Sequence, residues 1–148
     1  MLHSNANRVK EQTAPHINQA IEQKSRDRVQ LYSAHAPDLI TKRLQRLDAE
    51  WDTERTLQTN FATLSLVGIA LAATVDKRWA LLAIGVPAFM IQHALQGWCP
   101  PLAVLRRKGF RTTKEINEER FALKSLRGDF ADVRSTNDPK DILDAVRS

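Results

Sequence analysis

The feature that most restricts this chain is where its charges stop. No Asp, Glu, Lys or Arg occurs between Arg55 and Asp76, and none between Arg78 and Arg106, whereas both flanks are dense in charge of either sign. A mean hydropathy of -0.38 over 148 residues describes an ordinary soluble protein only because it averages these regions together. Two apolar stretches, residues 61–75 and 79–91, are joined by Asp76-Lys77-Arg78. At 1.5 Å per residue, roughly fifteen helical residues reach about 22 Å, short of a hydrocarbon core of about 30 Å. Extending the first stretch back to Leu57 and the second on to Gly97 gives about 28 Å each. That extension admits Gln58 and Asn60 in one arm and Gln92, His93 and Gln96 in the other.

The pattern predicts an all-α fold: a two-helix transmembrane hairpin, residues 57–98 with its turn at 76–78, flanked by amphipathic cytoplasmic helices. In the second arm Leu81, Leu82, Ile84, Val86, Phe89, Ile91 and Leu95 sum to about -2 to -4 kcal/mol on the insertion scale. That sum has to outweigh Gly85, Pro87 and the polar end, so a soluble, all-helical interaction module with a buried apolar helix pair stays open as an alternative. Trp79 and Trp98 bracket the second arm as interfacial anchors, and Trp51 stands before the first. Small residues (Ala62, Ser65, Gly68, Ala72; Ala80, Ala83, Ala94) form stripes that let lipid-embedded helices approach. Gly68, Ala72, Ala83 and Pro87 are therefore expected at the packing face. Pro87 also frees the carbonyl of Ala83, a loss membrane helices tolerate. Basic residues are in excess on the flanks, with Arg106, Arg107, Lys108 and Arg111 closest behind the second arm, which predicts both termini in the cytoplasm and these four near lipid head groups.

Outside the centre, residues 1–16 are polar and aperiodic and read as a disordered arm. Residues 17–56 read as cytoplasmic or interfacial helices, the second starting at Pro37 with Ile40, Leu44, Leu47 and Trp51 along one face. Whether that face lies on the membrane or packs on protein is left open by the pattern. Residues 99–130 form a basic juxtamembrane segment, with Pro100-Pro101 ending the preceding helix. Thr112-Thr113-Lys114-Glu115 is a capping box that opens a helix running to Arg127, stopped by Gly128. Residues 131–148 read as a linker and a short helix introduced by Asn137-Asp138-Pro139. Met1 to Arg8 carries no apolar core, so the first apolar helix is expected to serve as its own insertion signal.

A net charge of +5 and a pI near 9.7 would suit nucleic acid, but the densest basic cluster abuts an apolar segment, which points to lipid and away from nucleic acid. The single cysteine, Cys99, excludes an internal disulfide framework. It is the candidate thiol, for a redox or sulfur-accepting role helped by Arg106 and Arg107. A position at a helix C-terminus weighs against the thiolate. A turn centred on Lys77 would set Gln58 opposite Gln96 and Phe61 opposite His93, so Gln58, Asn60, Gln92, His93 and Gln96 are expected to form an interhelical polar latch. His3, His16 and His35 have no metal-site spacing, and neither a metal nor another cofactor is called for. There is no GxSxG, Walker A, CxxC or HExxH pattern, so no catalytic constellation is visible.

Glu50-Trp51-Asp52-Thr53-Glu54-Arg55 precedes the hairpin; Gln92-His93-Ala94-Leu95-Gln96-Gly97-Trp98-Cys99-Pro100-Pro101 closes it; Leu105-Arg106-Arg107-Lys108-Gly109-Phe110-Arg111-Thr112 follows. With Glu115-Ile116, the run Glu119-Arg120-Phe121-Ala122-Leu123-Lys124 and Leu126-Arg127-Gly128-Asp129-Phe130, these segments resemble the YgaP-like transmembrane-domain family of short bacterial inner-membrane proteins. The resemblance covers about two-thirds of the chain. It implies a hairpin in the inner membrane and no assigned activity. Some members carry a rhodanese domain handling sulfane sulfur, which this chain lacks. The expectation is a non-enzymatic membrane anchor or scaffold whose partners are lipids and an unidentified protein, with spare helix faces that leave room for a homo-oligomer.

Overall fold

In a computed structural model, residues 7–34 and 36–131 are described. They are helical throughout, with no strand among them. The helices are α1 (Arg8–Glu11), α2 (Pro15–Ser33), α3 (Pro37–Ala49), α4 (Thr53–Thr74), α5 (Ala80–Gln96), α6 (Pro100–Arg107) and α7 (Thr113–Arg127), with one 3-10 turn, Lys77–Trp79, before α5. The expected C-terminal linker and helix lie outside the described residues. Contacts divide the chain into two units, residues 7–21 with 51–114 and residues 22–50 with 115–131.

The first unit is built on α4 and α5. Asp52 caps α4, its carboxylate accepting from Arg55 N at 2.6 Å, and the N–H and hydroxyl of Thr53 both reach Arg111 O, at 2.8 and 2.9 Å. At the far end Asp76 caps the 3-10 turn through Arg78 N at 2.7 Å. That cap assigns Lys77 to the second arm and moves the turn's centre toward Val75. Gly68 therefore meets Ala83, where a Cβ on Gly68 would stand 2.8 Å from the Ala83 nitrogen. A turn centred on Lys77 would have set it against Val86. Ala72 and Ala83 are half-buried, and Pro87 is exposed. The carbonyl that Pro87 strips of its helical partner is taken up across the contact, Ser65 Oγ donating to Ala83 O at 3.1 Å. Val9, Leu57, Phe61, Val86, Cys99 and Leu102 form the buried cluster of this unit.

Three expectations are corrected here. Residues 7–16 are not a disordered arm, because Val9 enters that cluster and Thr13 is buried with its hydroxyl on Val9 O at 2.7 Å. Pro100-Pro101 does not merely end a helix. Gly97, at φ +73°, ends α5, and the two prolines open α6, where the missing N–H groups have no helical partner to lose. Arg106 and Arg111 do not face head groups; both are buried. The Arg106 guanidinium donates to Thr13 Oγ1, Asn18 Oδ1 and Phe110 O at 3.2, 2.9 and 2.9 Å, tying together three segments that would otherwise leave buried acceptors unmet. Arg107 and Lys108 are exposed.

The second unit packs Ile40, Leu44 and Leu47 of α3 against Ile116 and Leu123 of α7, with Tyr32 alongside. The face of α3 thus packs on protein, and Trp51 lies beyond its end, exposed, with the Arg55 guanidinium 4.6 Å from its ring centroid. Glu119 is buried and held by Arg43 at 2.7 Å and Arg28 at 3.1 Å. Gly128, at φ +91°, stops α7 with its N–H on Lys124 O.

Candidate functional site

The expected latch does not form as drawn. Gln58, Asn60 and Gln96 are exposed, and Asn60 donates to Thr56 O of its own helix at 2.9 Å. Gln92 is half-buried and makes no hydrogen bond to the other three. The register accounts for part of this: with the turn's centre nearer Val75, His93 falls opposite Leu57 instead of Phe61, one helical turn from Glu54. His93 is fully buried there and its Nε2 lies 3.1 Å from Glu54 Oε2.

One further side chain completes this cluster. Arg8 reaches Glu54 Oε1 at 3.5 Å and donates to Ala94 O at 2.9 Å, and its stem packs so closely on Gly97 that a Cβ there would meet it at 2.8 Å. Cys99, fully buried, belongs to the apolar cluster with Val9, Leu57 and Leu102, and His93 Nδ1 makes no hydrogen bond. The position of Cys99 also corrects an expectation. It is the N-cap of α6 and not the C-terminus of α5. The structure thus gathers an imidazole and a carboxylate, the latter steadied by Arg8.

Glu54 and Arg8 were missed by sequence reasoning because they are separated from His93 and Ala94 by 39 and 86 positions, and no local spacing encodes such a pairing. A weak sign was available in Glu54 itself, the last carboxylate before the first charge-free stretch. Among the described residues, no group of three or more His, Cys, Asp or Glu side chains is arranged to hold a metal ion. Trp79 and Trp98 are both partly exposed at the ends of the second apolar segment.

Two helical segments are long and apolar enough to cross a membrane, one within residues 37–74 and the other Lys77–Gln96. Comparison with protein-family models, with curated proteins and with solved structures returned no match.

Proposed function

We propose that this chain is a small integral protein of the bacterial inner membrane. In this reading α4 and α5 form a transmembrane hairpin, both termini are cytoplasmic, and the flanking helices serve self-association or a protein partner, with no catalysis of their own. The observation that carries this reading is the direction in which the apolar side chains face. Leu66, Ile69, Val75, Leu81, Ile84, Ile91 and Leu95 are all exposed, and only 22% and 11% of the two apolar windows is buried. A core helix of a soluble protein buries such a stretch, and water-facing apolar patches beyond a few hundred Å² are rare on soluble monomers. Lipid relieves that cost.

The length of α4 agrees with this, its 22 residues reaching about 33 Å. So does the Ser65 bond to Ala83 O, because an unmet carbonyl in hydrocarbon costs several kcal/mol. The basic flanks favour cytoplasmic termini. Carbonate extraction of membranes tests the reading. The protein should stay in the pellet; release into the soluble fraction would overturn it in favour of a soluble helical module. Reporter fusions at either end should both report the cytoplasm.

A further inference from the structure

We infer that the cavity between the start of α2 and the end of α6 is a site for a phosphate group, of the kind an anionic lipid head group presents. The cavity holds about 160 Å³ and lies wholly within the first unit. Arg106 and Arg107 line it with Gln12 and Thr13, and among the described residues no Asp or Glu does. The two arginines play different parts. Arg106 is buried, and its bonds to Thr13 Oγ1, Asn18 Oδ1 and Phe110 O hold the guanidinium fixed at the wall. It stays off the bilayer surface and meets only a phosphate that enters. Arg107 is exposed, and its guanidinium makes no hydrogen bond or ion pair with another described residue. One charge is therefore preorganised and the other is able to close on the ligand. Guanidinium donors match the oxygens of a phosphate in pairs. The last turn of α6 brings the negative end of a helix dipole, about half a charge, and the first turn of α2 brings the positive half that offsets it. The sign of the cavity is thus left to the two guanidiniums.

Size restricts the ligand. Sites for drug-sized molecules enclose roughly 300–1,000 Å³, so this one admits a single phosphate with the first carbons of its ester and excludes a nucleotide. Ala14, Ile17, Leu102 and Ala103 make the rest of the wall apolar, a surface that the glycerol of a lipid covers and bare phosphate does not. Leu102 also belongs to the buried cluster with Leu57, Phe61 and Val86, so the cavity adjoins the end of the helix pair at which α4 begins. The lipid source rests on the membrane reading, in which that end lies at the cytoplasmic surface, where anionic head groups are concentrated. The phosphate chemistry does not depend on it. Lys108 and Arg111, the other basic residues close behind the second arm, do not line the cavity, which separates this site from a general basic surface.

The test follows thermal unfolding of the full chain in uncharged detergent micelles while phosphatidic acid, phosphatidylcholine or inorganic phosphate is titrated at constant ionic strength. Phosphatidic acid should raise the midpoint and saturate, as a bound ligand does, and phosphatidylcholine should not. A larger response to phosphatidic acid than to inorganic phosphate supports the head group as the ligand; equal responses keep the phosphate site and overturn its lipid source. Arg107→Gln should weaken the apparent affinity on the order of tenfold, as loss of a charge-assisted hydrogen bond does. Lys108→Gln, the same change of charge one residue on and outside the cavity, should weaken it far less. Ala103→Leu, which fills the cavity from an exposed position and leaves both charges in place, should abolish the response. No response in the wild type, equal losses in Arg107→Gln and Lys108→Gln, or an unaffected Ala103→Leu protein would overturn the inference. The membrane reading fails separately. A chain that carbonate releases but that binds phosphate through Arg107 sinks the hairpin and keeps the site, and a pelleted chain with no response does the reverse.

Discussion

A proline in the middle of α5 is tolerated because a single hydroxyl answers it. Pro87 cannot donate to Ala83 O, and Ser65 on the neighbouring helix does so instead, at 3.1 Å. Removing the hydroxyl with Ser65→Ala should cost about 1 kcal/mol of stability, the range for interhelical hydrogen bonds in membrane proteins. In a Pro87→Ala background, where the helix's own N–H can reclaim the carbonyl, the same substitution should cost close to nothing. A double-mutant cycle in detergent unfolding measures the difference, and equal costs in the two backgrounds would show that the bond contributes nothing. Both residues stood out in the sequence, Pro87 as a helix breaker and Ser65 in a small-residue stripe. Their pairing did not, because it depends on a register set by the Asp76 cap. His93 was legible in the same partial way, singled out as misplaced in an apolar segment but assigned the wrong neighbours. Arg106 was misread outright. A basic residue next to an apolar helix looks like a head-group contact until partners 88 and 93 positions away are brought to it.

At the scale of elements, local signals with a fixed stereochemical cause transferred well. Pro37 opens α3, Thr113 opens α7, Gly128 closes it, and the Asp76-Lys77-Arg78 break separates the two apolar helices. These succeed because a cap or a left-handed residue is decided within a few positions. Pro100-Pro101 was ambiguous for the same reason, since a proline pair both stops one helix and starts another. The approach of α4 and α5 now makes a test of glycines possible. Gly68→Ala would place its Cβ 2.8 Å from the backbone nitrogen of Ala83, which cannot move without parting the helices, whereas a Cβ on Gly85 meets nothing within 4 Å. Gly68→Ala should therefore destabilise by about 1–3 kcal/mol, as overpacking does, while Gly85→Ala should be neutral or stabilising by about 0.5 kcal/mol through helix propensity. Thermal unfolding of the two variants side by side decides it. In the second unit, Glu119→Ala would leave Arg43, only 14% exposed, beside an empty site and should cost about 3 kcal/mol. Arg28→Ala should cost less, its side chain being 34% exposed. A reversed order would mean that the buried pair is not what holds Glu119.

For the whole molecule, the sharpest consequence of these pairings is how stability should vary with acidity. One carboxylate outside the apolar helices is held below its ordinary range: Asp129, by its bond to Arg127 at 2.6 Å. A group whose folded value is depressed contributes stability that is fully present above its unfolded value and is lost as pH falls through the folded one. The contribution of Asp129 should therefore be intact at neutral pH and decline below about pH 4, the ordinary carboxylate range. Thermal midpoints measured from pH 7 down to pH 3 should fall on the acid side. Asp129→Asn should start lower at neutral pH and fall less steeply than the wild type. The basic flanks make the acid limb steeper still, since protonating carboxylates in a chain already at +5 adds repulsion. If Asp129→Asn followed the wild-type profile throughout, the Asp129–Arg127 pair would not be a determinant of stability, and the end of α7 would be held by the Gly128 stop alone.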